Sequence, residues 1–184
     1  MLGQSAGWFR EGTRQPPALG EGLVVAVFLS ASINRVDKKG RCSVPAAYRT
    51  AIERSAQDKI LYVYPALNAP CLEGGDQAYF ERLMDAIYEG SPALDDEPKR
   101  MARRILGRAE PLQWDGDGRI VLSQSLRDAA GIIDQAEFVG MGRSLQIWNP
   151  ETLASFDDQA DDSFTDTVKK MAPMRVPGLS GGSS

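Results

Sequence analysis

Histidine is absent from all 184 residues of the chain. Its absence removes the commonest general base, the commonest metal ligand and every catalytic arrangement that pairs histidine with serine or cysteine. The only two cysteines, Cys42 and Cys71, provide neither a disulfide framework nor a four-thiolate metal site. We interpret both as small buried hydrophobes. Because no glycine-rich phosphate loop is present either, we expect a protein that is not an enzyme and holds no metal or cofactor.

Long hydrophobic runs are also missing. The longest apolar run near the start, residues 23–29, has seven residues, whereas about 20 are needed to span a bilayer. Charges of both signs precede this run, so we expect no signal peptide. We therefore expect a cytoplasmic protein without a membrane partner.

The net formal charge is −4 at pH 7, but the bases are unevenly distributed. Residues 32–54 contain six bases against two acids, and residues 98–108 contain five bases and no acid. Acids cluster instead in residues 95–97 and 157–166. A chain that is acidic in total can still present a basic face, and that face determines whether it binds phosphate.

An internal repeat relates residues 36–49 to residues 114–127, at an offset of 78 residues from Asp37 to Asp115. Both copies contain the pattern Asp-x-x-Gly-Arg. The aspartate can accept hydrogen bonds from backbone N–H groups two residues on, and the glycine supplies a positive φ, so each pattern predicts a tight turn. Pro45 and Ser123 then favour the start of a short helix. We assign a structural role in the turns to four residues: Asp37, Gly40, Asp115 and Gly118.

Further strand-like stretches follow each copy, at residues 60–64 and 71–72 and again at 138–141 and 145–148. Helical spacing predicts one helix over residues 77–89, and an acidic start predicts a second, basic helix that runs to about residue 108. Asn149 and Pro150 can begin a last helix. We predict a first unit over 27–74, a helical linker over 75–110 and a second unit over 111–154. Residues 1–26 and the tail after the last helix, within 155–184, are expected to be disordered.

These features resemble the MraZ family, a tandem member of the AbrB/SpoVT group. The resemblance covers residues 28–156 and includes Pro70-Cys71-Leu72, Arg103-Arg104, Phe138-Val139-Gly140 and Ile147-Trp148. It implies an α+β fold in which two tandem swapped-hairpin (AbrB-like) β units form one pseudo-twofold β-barrel. A helical hairpin lies between the units in this expectation, and a C-terminal helix follows them.

The resemblance also implies a function. Family members are sequence-specific DNA-binding repressors of the bacterial division and cell-wall gene cluster, including their own promoter. They bind short direct repeats in double-stranded DNA as ring homo-oligomers, so a nucleoid-associated protein without a small-molecule substrate is expected. By matching positions, the candidate DNA contacts are Lys38, Lys39, Arg41 and Arg119. Arginine can bind a phosphate or a guanine edge through two nitrogens, and lysine anchors phosphates.

The second turn differs from the first, because Gly116 and Asp117 stand where Lys38 and Lys39 stand. Asp117 would repel phosphate, so we expect the first copy to be the main DNA face. Arg41 is expected to contact DNA, and a salt bridge to Asp37 or Asp115 is the competing interpretation. For Arg119 the internal salt bridge is the favoured interpretation.

The basic residues 99–108 allow two interpretations. They form a second DNA surface or, by preference, pair with acids of their own or a neighbouring subunit. Trp114 and Trp148 are expected in the core rather than stacked on bases.

Two classes of protein compete with the DNA-binding regulator: an antitoxin-like module, and a structural ring or interaction protein. The tail lacks the amphipathic pattern that a toxin-binding segment would need. A scaffold would not need the bases of the first turn.

Overall fold

The computed structural model describes residues 26–55, 59–89 and 96–158. The first repeat and its following strands contain β1 (Ala31–Arg35), β2 (Arg41–Ser43), α1 (Ala46–Ser55), β3 (Ile60–Pro65) and β4 (Leu72–Gly75). Two helices follow, α2 (Gln77–Tyr88) and α3 (Asp96–Ile105), and a short 3-10 helix, Leu106–Arg108. The second repeat contains β5 (Glu110–Gln113), β6 (Arg119–Val121), α4 (Gln124–Ala130), β7 (Gln135–Gly140) and β8 (Leu145–Trp148). A last helix, α5, covers residues 150–158.

Six strands form one antiparallel sheet in the order β1-β7-β8-β4-β3-β5, and β2 and β6 form a separate two-stranded ribbon. Four pairings join the two halves of the chain: β1 with β7, β2 with β6, β3 with β5 and β4 with β8. If β1, β2, β3 and β4 are exchanged with their counterparts β5, β6, β7 and β8, the sheet has the same strand order, read from its opposite edge. The pairing scheme is therefore symmetric with respect to the two repeats.

The main hydrophobic core draws side chains from the ribbon, the sheet and the helices α1 and α4. Tyr48 of α1 lies edge-on against Phe28 and Phe138, with ring centroids 5.3 and 6.4 Å apart, a favourable aromatic geometry. Its hydroxyl donates to the carbonyl of Ser30 at 2.7 Å, so the one polar atom of this side chain is satisfied. Trp114 also lies in this core.

Both cysteines are buried, with 1% of each residue exposed. Burial raises the pKa of the Cys42 thiol to about 12, and burial together with the charge of Glu73 raises the pKa of Cys71 to about 12. Because the thiolate is the reactive form, both side chains act as inert hydrophobes. The interpretation made from the sequence is confirmed.

The helices begin and end where local chemistry favours it. The Ser123 hydroxyl accepts a hydrogen bond from the backbone N–H of Leu126 at 3.2 Å, which caps α4. At the start of α2, the fully buried carboxylate of Asp76 accepts hydrogen bonds from Tyr79 N, the Ser55 hydroxyl and Ala26 N, at 2.8, 2.8 and 3.2 Å. One carboxylate thus connects α2, the end of α1 and Ala26, which precedes β1.

The predicted α+β class is confirmed, as are a pair of helices between the repeats and a helix after the last strand. A closed barrel is not found among the described residues, because sheet and ribbon are separate and the edge strands β1 and β5 do not pair with each other. The disorder predicted for residues 1–26 and for the tail falls mostly outside the described residues, and the domain limits stay a prediction. No helix in the described part of the chain combines the length and the apolar character needed to cross a membrane.

Candidate nucleic-acid interface

The first repeat forms a tight turn between β1 and β2 that is held by Asp37. Its Oδ1 accepts hydrogen bonds from the backbone N–H groups of Lys39 and Arg41 at 2.8 and 2.9 Å, and its Oδ2 accepts from Nε of Arg41 at 2.6 Å. Gly40 closes the turn with φ 80°, and its N–H donates to the carbonyl of Asp37 at 2.8 Å. At the tip, Lys38 and Lys39 are exposed. Neither has an ion-pair partner among the described residues.

The second repeat forms the same turn from the equivalent atoms. Asp115 Oδ1 accepts from the N–H groups of Asp117 and Arg119, each at 2.9 Å, and Oδ2 accepts from Nε of Arg119 at 3.2 Å. Gly118 has φ 74°. One further bond is peculiar to this turn, because Arg119 Nη2 donates to Asp117 at 2.6 Å. Two carboxylates therefore hold Arg119, whereas one carboxylate holds its counterpart Arg41.

The ribbon places the two turns at its opposite ends. The carbonyl of Gly40 accepts from Leu122 N at 2.8 Å, and the carbonyl of Gly118 accepts from Val44 N at 2.9 Å. Since Gly40 and Val44 are four residues apart, the turns are separated by about 13 Å at roughly 3.3 Å per strand residue.

The ribbon has one buried and one outward face. Cys42 and Ile120 are opposite each other in the register and both are buried. The alternate residues therefore occupy the outward face: Arg41, Ser43, Arg119 and Val121. Arg41 and Arg119 are diagonal neighbours on this face, a relation that places their Cα atoms about 7–8 Å apart. Beside them lies a groove of about 540 Å³ whose charged lining residues are Arg35, Asp37, Arg41, Arg119 and Asp134.

The two turns differ in charge. The first carries three bases and one acid, a formal charge of +2, and the second carries one base and two acids, a charge of −1. The hydrogen bond from the backbone of Arg41 lowers the pKa of Asp37, and the equivalent bond from Arg119 lowers the pKa of Asp115. The hydrogen bond to Asp115 and the neighbouring carboxylates raise the pKa of Arg119. All three groups therefore stay ionised near neutral pH, and only the first turn keeps a positive excess.

Arg49 and Arg127 align in the repeat, yet neither was predicted to have a role. Arg49 of α1 donates from Nε to the carbonyl of Val44 at 3.2 Å, and its guanidinium lies against Gly118, where a Cβ would be 2.5 Å from Cζ. Arg127 of α4 has the equivalent position beside Gly40, where a Cβ would be 3.2 Å from Nε. The helix of each repeat thus supports the turn of the other. The alignment of the two repeats at an offset of 78 residues was the only sequence signal for this pair.

The structure brings Arg41 and Arg119 onto one face, with Lys38 and Lys39 at the tip of the first turn. The partner of Arg41 is Asp37, not Asp115, but this salt bridge uses only Nε, and 46% of the Arg41 side chain is exposed. Its terminal nitrogens have no hydrogen-bond partner among the described residues. Pairing within the turn and contact with DNA are therefore compatible, and the DNA contacts stay a prediction.

The basic helix α3 pairs partly with itself. Lys99 lies 3.4 Å from Asp96, and Arg100 pairs with Glu97, both within the first turns of the helix. Such exposed pairs contribute little stability. Arg103 and Arg104 are exposed and have no ion-pair partner in the part of the chain that the structure describes.

Comparison with known proteins places these features in a family. Residues 105–174 match the family model described as "MraZ protein, putative antitoxin-like". A protein of Gluconobacter oxydans named transcriptional regulator MraZ is 38% identical over 155 residues, which cover 83% of this chain and 94% of the relative. Proteins of the same name from Xanthobacter autotrophicus and Rickettsia akari are 38% and 40% identical, covering 68% and 69% of this chain and 79% and 84% of the relatives. The chain, with its two Asp-x-x-Gly-Arg turns on one ribbon, belongs to the MraZ family.

Proposed function

We propose that this chain is a transcriptional regulator that binds double-stranded DNA in a sequence-specific manner through the outward face of its ribbon. The main support is the first turn, where three exposed bases stand against one acid. The major groove of B-DNA is about 12 Å wide and admits a two-stranded β-ribbon. The relatives described above carry the name transcriptional regulator.

Each side chain has a distinct role in this proposal. Lys38 and Lys39 anchor phosphates, which fixes position without reading sequence. Arg41 has two terminal guanidinium nitrogens available and binds a guanine edge or a phosphate. Arg119, held by two carboxylates, contributes less. Asp37 orients Arg41 rather than meeting DNA, since a bare carboxylate repels phosphate.

The larger assembly is part of the same proposal. The four pairings between the repeats support a swapped-hairpin barrel made from sheet and ribbon within one chain. A single turn offers three bases, so its binding alone would be weak and strongly dependent on salt. Several identical faces on a closed ring, meeting short direct repeats, would raise the affinity through effective concentration. The resemblance to the family points to repression of the division and cell-wall gene cluster, including the protein's own promoter, by a cytoplasmic, nucleoid-associated protein.

The first experiment is a gel-shift titration with the DNA just upstream of the protein's own gene, at about 50 and 200 mM salt. Arg41→Ala is compared with the matched control Arg54→Ala, which removes an exposed arginine at the end of α1. We expect Arg41→Ala to weaken binding about tenfold or more and to reduce the salt slope by about one, as the loss of one contact predicts. Arg54→Ala should bind like the wild type. Equal binding by all three proteins would refute the assignment of the turn.

A second experiment tests the ring and its competitor. Shortening the DNA to one repeat should reduce the affinity of the wild type by about 10²-fold or more if several faces engage at once. An unchanged affinity would refute this account. Because the matching family model is described as antitoxin-like, a toxin-binding module is the second candidate. It would take precedence if the wild type failed to bind the upstream DNA at either salt concentration.

A further inference from the structure

A second, larger groove contains no residue of the ribbon. It is lined by residues of β1, β3, β4, β7 and β8, of α2 and α3, and of α5, and its volume is about 1090 Å³. Most of its lining is apolar, including Leu67, Leu83, Met101, Met141, Trp148 and Phe156. Four of these are notably exposed: Leu67, Met101, Met141 and Phe156 are 36%, 37%, 56% and 38% accessible. Because these side chains are grouped in one groove, the groove is a candidate interaction site.

The charged residues of the groove all have one sign. They are Glu73, Glu97, Glu137 and Asp157, and no lysine or arginine is among the lining residues in the described part of the chain. Glu73 already accepts hydrogen bonds from the Tyr64 hydroxyl and from Gln146. Glu137 and Asp157 have no cationic partner among the described residues. The groove therefore fits an occupant that combines apolar side chains with positive charge.

We propose that this groove is the docking site of the chain's own C-terminal segment, residues 167–176. That segment contains Lys169, Lys170 and Arg175 and no acid, and its apolar residues include Val168, Met171, Met174 and Val176. Its composition is thus complementary to both properties of the groove. The assignment is independent of DNA binding.

The connection to the segment is short and starts at the right place. Leu153, Phe156 and Asp157 of α5 line the groove, so the chain leaves α5 at its edge. The residues from 158 to 168 can span up to about 33 Å when extended, at roughly 3.3 Å per residue. A segment tethered this closely has a high effective concentration at the groove, so modest contacts are sufficient to hold it.

Two other occupants fit less well. Pockets for small molecules bury most of the ligand's surface, whereas this site is an open groove bordered by three helices. The exposed face of α3 on a second copy would bring Lys99, Arg100, Arg103 and Arg104, whereas its exposed apolar residue, Met101, already lines the groove of its own chain. That helix would meet the acids and leave the apolar lining uncovered.

Disulfide trapping in the full-length chain tests the proposal, since both native cysteines are buried. Leu67→Cys, on the groove, is combined with Met171→Cys in the segment. The matched control pairs Met171→Cys with Val121→Cys, which is 54% exposed on the ribbon. The combination of Leu67→Cys and Met171→Cys is the groove pair. Under mild oxidation we expect a disulfide within one chain to form about tenfold faster in the groove pair than in the control. Equal rates, or disulfides only between chains, would overturn the proposal, and the second result would identify another copy as the occupant.

Charge reversal tests the recognition itself. Lys169→Glu, Lys170→Glu and Arg175→Glu, added together to the groove pair, should slow the trapping about fivefold or more at low salt, because like charges now meet. Adding Glu137→Lys and Asp157→Lys should restore the rate. An unchanged rate after the triple reversal would refute charge complementarity. If Leu67→Cys fails to fold, Met101→Cys, on α3 in the same groove, replaces it.

Discussion

Alanine substitution at four glycines, three in the two turns and one at the end of α4, separates the effect of a left-handed backbone from that of a close contact at the Cβ position. Gly116 has no positive φ and no atom within 4 Å of a Cβ built there. Gly131 has φ 62° but open space around it. Gly118 combines φ 74° with a Cβ position 2.5 Å from the Arg49 guanidinium. Gly40 combines φ 80° with a Cβ position 2.3 Å from the carbonyl oxygen of Leu122.

These contacts determine the expected loss in the free energy of unfolding. Gly116→Ala should change it by no more than about 0.5 kcal/mol, since a compatible backbone incurs no strain. Gly131→Ala should cost about 1 kcal/mol, the typical cost of a left-handed backbone for a residue with a Cβ. Gly118→Ala should cost about 2 kcal/mol, because Arg49 must also move and lose its hydrogen bond to the Val44 carbonyl.

Gly40→Ala should be the most destabilising of the four, at about 3 kcal/mol or more. The obstructing atom is backbone, and Leu122 cannot withdraw without breaking its N–H bond to the Gly40 carbonyl, which is 2.8 Å long. The left-handed strain, the lost ribbon bond and the displaced core residue then add together. Urea unfolding followed by tryptophan fluorescence measures the series, because Trp114 and Trp148 are both buried. The order Gly116, Gly131, Gly118, Gly40 is the result that matters. If Gly40→Ala cost no more than Gly131→Ala, the contact between the first turn and the second repeat would be refuted.

The same kinds of contact lead to three more expected outcomes. Asp76→Ala should destabilise the fold by about 3 kcal/mol in urea unfolding, because one buried and two partly buried donors lose their acceptor; a loss below about 1 kcal/mol would contradict this. The pKa values of Asp37 and Asp115 are lowered in the folded chain. The stabilisation of the fold by these two carboxylates is therefore complete above the ordinary pKa of 3.8 and is lost as the pH falls through the lower folded values. NMR should therefore show the backbone amides of both turns shifting only below about pH 4, and a midpoint above that value would be evidence against the lowering. Arg127→Lys should weaken DNA binding about fivefold, and Arg49→Lys less than about twofold, because only Arg127 supports the basic turn; equal effects would contradict the crossed support.

The elements that could be predicted from the sequence are those whose causes are local. Asp37 and Gly40 define a turn within four residues, and their recurrence 78 residues later predicts the second turn. Ser123 caps its helix through a bond to a residue three positions on. The helices between the repeats follow from apolar spacing and an acidic first turn. None of these inferences needs knowledge of which strand lies beside which.

The features that could not be predicted depend on contacts between distant parts of the chain. The pairing of β1 with β7 joins residues about a hundred positions apart, and no local pattern specifies it. The burial of Asp76 arises because Ala26, Ser55 and Tyr79 converge on it. The large groove likewise exists only because α5 and the pair α2 and α3 leave part of one sheet face uncovered.

The crossed supports explain how the second turn can be unsuited to phosphate and still be necessary. The first turn rests on Leu122 and Arg127, which both belong to the second repeat, so its geometry depends on a partner that carries no lysine at its own tip. In a dimer of identical units both turns would carry the same charge, and the outward face of the ribbon would be symmetric. Joining two different copies in one chain gives a ribbon with a charge of +2 at one end and −1 at the other. Under the proposed function, an asymmetric protein face suits an asymmetric DNA site, so this ribbon would fit directly repeated elements better than palindromic ones, which mirror a twofold protein.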